Sequence, residues 1–269
     1  MVLHRPFTIL IALILVAGCA SKSTTTEQAP PAVQPRSTPP QPQQTSPHDR
    51  ARIHTDLASG YYERGQMEVA LDELKLSASL DPNYAQTYNI YGLVYAVLGE
   101  DRNAEQNFER ALQLAPNDSE IHHNWGWYLC QHKREREALG QFELAVRNPL
   151  YRTPEVALVN AGRCAMSINE LRVADGYFRR ALTAQPGNPL ASYGLALIAY
   201  KEGRYEEART WMKAVMQMTN PAPEALYLGM CVERKLRDSQ AELSYVSQLR
   251  NRYPDSVETK AIRPDGGCE

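Results

Sequence analysis

From residue 51 onward the chain repeats a pattern of small and large residues every 34 positions, and this period restricts the fold more than any other feature. Gly65, Ala70, Leu74 and Pro82 recur 34 residues on as Gly99, Ala104, Phe108 and Pro116. A third unit shows Gly126, Ala138, Phe142 and Ala145. Two residues are then inserted around Tyr151 to Pro154. The fourth unit follows with Gly162, Ala174, Phe178, Ala181 and Pro186, and the fifth with Gly203, Ala208 and Met212. A weaker sixth has Gly229, Ala241, Tyr245 and Pro254.

A unit of this length holds two amphipathic helices of about 14 residues each, antiparallel because their connection is short. Small residues at unit positions 8, 20 and 27 let the two helices approach, and the large residue at 24 fills the space beside them. Gly near position 15 supplies a permissive turn, and Pro near 32 stops the second helix. One hairpin cannot bury its apolar face alone, so neighbours must stack into a continuous core. The expected fold is all-α: about six helix-turn-helix repeats over 51–255, as units 51–84, 85–118, 119–152, 155–188, 189–221 and 222–255, with a tail at 256–269. These marks resemble the tetratricopeptide repeat, which implies a superhelix.

The N-terminus reads as a targeting segment. His4 and Arg5 precede an apolar run from Phe7 to Val16, too short for a bilayer span of roughly 20 residues. Val16-Ala17-Gly18-Cys19 follows and resembles the bacterial lipobox, which implies cleavage after residue 18 and a diacylglycerol on Cys19. The rival reading is an ordinary secretory leader with a cysteine nearby. Acyl chains contribute about 0.8 kcal/mol per buried CH₂, so a triacylated cysteine anchors stably. Ala20 and Ser21 stand where lipoproteins kept at the inner membrane usually carry Asp. The resemblance therefore implies the periplasmic face of the outer membrane. Residues 20–49 hold seven of the eighteen prolines among Gln, Ser and Thr, so 19–50 reads as a lipidated cysteine and disordered tether. Its reach is roughly 90 Å if wholly polyproline-like. The whole chain balances 29 basic residues against 31 acidic ones. Removing Arg5 with the leader leaves the rest weakly acidic, which argues against nucleic acid as a partner.

In tetratricopeptide superhelices the first helix of each hairpin lines the concave groove. That resemblance places Arg52, Asp56 and Tyr62 there from the first unit, and Asn89 and Leu93 from the second. Asn124, Trp127 and Gln131 follow from the third, Asn160 and Arg163 from the fourth, and Tyr193 and Tyr200 from the fifth. Amides can bond the backbone of an extended ligand while aromatic faces hold its side chains. Asn89, Asn124, Trp127, Gln131, Asn160, Arg163 and Tyr193 are the candidate partner-binding residues, against the plainer account that several only pack between hairpins. Trp125 is expected on the core face.

Of the five cysteines, Cys130 and Cys164 fall near the ends of first helices in adjacent units, close enough for a disulfide in an oxidising compartment. The alternative is two buried thiols. Cys231 and Cys268 remain, and their pairing is open. His122, His123 and His132 lack the spacing of a metal set and read as polar residues on a solvated helix. No nucleophile-elbow, phosphate-loop or zinc-protease motif occurs, so neither an enzyme nor a cofactor is expected.

Asn124-Trp125-Gly126-Trp127-Tyr128-Leu129-Cys130 goes beyond generic repeat sequence, as do Asn148-Pro149-Leu150-Tyr151 with Pro154, Asn160-Ala161-Gly162-Arg163-Cys164 and Leu226-Tyr227-Leu228-Gly229. With the lipobox and six hairpins, these resemble the type IV pilus biogenesis lipoproteins of the PilF/PilW family. The resemblance implies a pilotin-like role: binding secretin subunits, promoting their outer-membrane localisation and multimerisation, or stabilising pili. It also implies the disulfide at the third-to-fourth junction. A different periplasmic scaffold, recruiting peptidoglycan enzymes or barrel-assembly factors, is the alternative. The long tether and the Gly266-Gly267-Cys268 tail depart from the family pattern.

Overall fold

The computed structural model describes residues 45–218, 220–262 and 268, and these contain thirteen helices and no strand. The leader, Cys19 and most of the tether lie outside the described residues. The helices pair as six hairpins: α1 (Pro47–Glu63) with α2 (Met67–Leu80), α3 (Ala85–Val97) with α4 (Asp101–Leu114), and α5 (Ser119–Gln131) with α6 (Glu135–Arg147). Then come α7 (Pro154–Ser167) with α8 (Leu171–Ala184), α9 (Pro189–Lys201) with α10 (Tyr205–Val215), and α11 (Pro223–Leu236) with α12 (Ser239–Arg252). A short α13 (Val257–Lys260) packs on α11 and α12. Among the described residues no helix is long and apolar enough to cross a membrane.

The first helices approach one another in sequence from α1 to α11, whereas the backbones of the even-numbered helices of the described residues stay apart and only long side chains bridge them, as Arg180 on α8 does to Glu143 on α6. The odd-numbered layer is thus the tighter, concave side of a superhelical stack.

Every hairpin turns at one left-handed residue: Gly65, Gly99, Lys133, Asn169, Gly203 and Arg237, all with φ between 58° and 75°. The next residue closes the turn by donating its N–H five residues back, as in Arg134 N to Leu129 O at 2.9 Å. Glycine was expected here, yet half of these sites carry side chains. The turn is dictated by the packing of the two helices, and a non-glycine residue tolerates it at about 1 kcal/mol.

The core rests on a size trade across each hairpin. Phe108, Phe142 and Phe178 at position 24 are buried, and each faces a glycine at position 8. A Cβ on Gly92 would stand 2.8 Å from Phe108, and one on Gly162 2.6 Å from Phe178. Where position 8 holds Ala58 or Ala196, position 24 holds the flexible Leu74 or Met212. In the last unit Gly229 meets Tyr245 in the same way.

Two boundaries differ from the sequence reading. The tether was expected to run to residue 50, but α1 begins at Pro47 because Ser46 caps it, accepting from Asp49 N at 3.0 Å. The tail is also tied down: Cys268 is disulfide-bonded to Cys231 with Cα atoms 5.5 Å apart, and its carbonyl accepts from the Tyr200 hydroxyl at 2.7 Å.

Candidate functional site

The third-to-fourth junction organises the concave face. Cys130 near the end of α5 and Cys164 on α7 are joined by a disulfide, with Cα atoms 5.9 Å apart. The inserted Tyr151 folds back so that its hydroxyl lies 2.9 Å from His123 Nδ1, while His123 Nε2 lies 2.9 Å from Asn160 Nδ2. The Asn160 amide nitrogen can only donate, so Nε2 accepts and Nδ1 carries the proton toward Tyr151. Burial lowers the His123 pKa to about 4, keeping the ring neutral. Loop, α5 and α7 are thereby fixed through one imidazole.

Three hollows adjoin this junction. The first, about 630 Å³, is lined by Trp127, Gln131, Asn160, Arg163 and both cysteines of the bridge. The second, about 460 Å³, shares Arg163, also holds Glu224 and is otherwise apolar, with Met166, Leu190, Tyr193, Leu197 and Met218 around the Phe178 ring. Burial raises the Tyr193 pKa, so its hydroxyl stays protonated. The third, about 760 Å³, is more polar and holds Asn124, Glu120, Tyr151 and Arg152, with Leu150 on its rim. Burial also raises the Glu120 pKa, with Asp118 and Asp56 adding to the shift.

Of the seven candidate groove residues, the first hollow gathers Trp127, Gln131, Asn160 and Arg163. Tyr193 lines the second hollow and Asn124 the third. Asn89 is a correction. Its side chain is fully buried, donating to Gln86 Oε1 at 2.8 Å and accepting from Asn124 Nδ2 at 3.2 Å. Gln86 in turn donates to Asp118, so these amides form a ladder tying α3 to α5 and leave Asn89 nothing for a ligand. Leu93 is likewise buried, and Tyr200 is engaged by the tail carbonyl. The histidines also differ from expectation. His122 is buried, its Nε2 donating to the Pro116 carbonyl at 3.0 Å and its Nδ1 lying 2.7 Å from the Gln141 side-chain amide, rather than solvated. Trp125 is buried on the core face, stacked on Tyr128. Among the described residues no group of three or more His, Cys, Asp or Glu could hold a metal.

Sequence reasoning missed the His123–Tyr151 bond and the apolar hollow. The two-residue insertion was a signal for the first, since an extra loop must dock somewhere. The second is assembled from α7, α9 and the loop before α11, which a single unit's pattern does not display.

Residues 85–118 and 159–223 match family models described as tetratricopeptide repeat. With six stacked hairpins of this geometry, the chain is a tetratricopeptide-repeat protein. The type IV pilus assembly protein PilF of Pseudomonas aeruginosa is 26% identical over 218 residues, covering 81% of this chain and 86% of that protein. The crystal structure of PilW, a widely conserved type IV pilus biogenesis factor, matches with a TM-score of 0.70 at 28% identity over 78% of this chain and 96% of that one. The structure of Pseudomonas aeruginosa PilF matches with a TM-score of 0.73 at 25% identity over 80% of this chain and 96% of that one. Within this class the chain is similar to PilF and PilW over about four-fifths of its length.

Proposed function

We propose that this protein serves type IV pilus biogenesis as a non-catalytic scaffold, lipid-anchored through Cys19 at the periplasmic face of the outer membrane, where it binds secretin subunits and promotes their localisation and multimerisation. The observation that carries this reading is the correspondence with PilF and PilW over about four-fifths of this chain and most of theirs. The rigid concave face adds to it, because a groove of amides, aromatics and one guanidinium suits an extended protein segment. Pilotin-like action requires both membrane attachment and a protein-binding surface, and the two map to separate parts of the chain.

Deleting the gene and restoring it with Cys19→Ala tests the proposal. The expected result is a folded but mislocalised protein, few secretin multimers in membrane fractions and lost twitching motility. Normal pili and motility in the deletion strain would refute the pilus role. Normal multimers with Cys19→Ala would refute the anchoring role alone.

A further inference from the structure

The apolar hollow between α7, α9 and α11 is a recess of the concave face. Leu190 on its rim is 55% exposed and Met218 is 39% exposed. Large apolar side chains left in water around a recess mark a contact surface. The recess shares a wall with the hollow of Trp127 and Gln131, so the two form one track along the first helices instead of a closed pouch. A track fits a chain better than a compact small molecule.

Arg163 stands at the shared wall, exposed and without a hydrogen-bond or ion-pair partner among the described residues. Arg134, Arg179, Arg180 and Arg204 are each paired with carboxylates, as are Arg52 on α1 and Arg234 on α11. A guanidinium held open beside an apolar recess is matched by a carboxylate close to an apolar side chain. The carbonyl oxygen of Asn160, whose amide nitrogen is occupied by His123, is left to accept a backbone N–H.

We infer that the fourth to sixth units hold an extended segment of a partner protein that seats one bulky apolar side chain in the Leu190–Tyr193–Met218 hollow and a carboxylate, two or three residues away, on Arg163. The spacing follows from geometry: neighbouring helix axes lie roughly 8–10 Å apart, and an extended or polyproline chain rises about 3.1–3.4 Å per residue. The inference rests on the protein-binding reading above and adds the chemistry of the ligand.

The test is selection of twelve-residue peptides from an unbiased displayed library on the full chain with both disulfides intact, followed by affinity measurement. The enriched peptides are expected to share a bulky apolar residue with Asp or Glu two or three positions away. Leu190→Lys should weaken them by about tenfold or more, and Arg163→Glu should do the same while restoring binding to peptides whose acid is replaced by Lys. Both side chains are exposed, so thermal unfolding should be unchanged in the variants. Failure to enrich any peptide overturns the inference, as does enrichment of peptides indifferent to both substitutions. Neither result bears on the pilus role, which stands or falls with the deletion strain.

Discussion

His123 sits between Tyr151 and Asn160 with both ring nitrogens engaged, and burial holds its pKa at about 4 against an ordinary 6.5. The unfolded chain binds a proton below pH 6.5 that the folded protein refuses until about pH 4. The stability that comes from keeping the ring neutral is therefore complete above pH 6.5 and lost as the pH falls through that window, by on the order of 2–3 kcal/mol. His123→Gln should flatten this part of the pH dependence. Urea midpoints at pH 7.5 and pH 4.5 would separate less in the variant than in the parent, and an equal separation would mean that the ring does not titrate as described. The sequence reads His123 as a polar residue on a solvated helix, because its actual environment comes from an inserted loop and from the next unit. Lys133 and Arg237 were hidden for a related reason: a left-handed turn is imposed by the helices on either side, and the side chain at its tip carries no mark of it.

Each hairpin, taken as an element, shows why the array could be read so far from sequence. Position 8 and position 24 face each other, so a glycine there permits a phenylalanine ring, and an alanine requires a side chain that can bend aside. Gly92→Ala places a methyl at 2.8 Å from Phe108, closer than packing allows, and should cost about 1–3 kcal/mol. Phe108→Leu alone should also destabilise, by leaving unfilled volume. Combined, the two copy the Ala58–Leu74 arrangement of the first unit, and the pair should be more stable than the sum of the single effects. A double-mutant cycle by denaturant unfolding measures this, and strict additivity would show that the two positions do not share the space. The groove was harder to read than the core. Helix phase locates the face, but Asn89 lies on it and is nonetheless buried, because the neighbouring Asn124 and Gln86 close over it in an amide ladder.

Among the described residues, hairpins contact only their neighbours along the stack, so stability is local and spreads through adjacent interfaces. The two disulfides sit toward the C-terminal side of this stack, one linking α5 to α7 and one tying the tail to α11. In the chain-entropy account each closes a loop worth about 3–4 kcal/mol. The first two hairpins have no such bridge and depend on packing and on buried hydroxyl bonds such as Thr55 to Ser77 at 2.9 Å and Ser77 to Thr87 at 2.8 Å. Period and residue size announced the number of hairpins and their order, whereas the tail's attachment depended on a cysteine far outside the repeat. A defect in the first hairpin should consequently stay there. Leu74 is fully buried, and Leu74→Ala should cost about 2–5 kcal/mol. Hydrogen exchange should then show faster amides in α1 to α3 and unchanged protection in α9 to α12 while the bridges are intact. Reduction should let the opening spread further along the stack. Uniformly faster exchange in all helices of the oxidised variant would mean that the units unfold as one body, and that neighbour contacts, rather than each hairpin with its staples, set the stability of the groove.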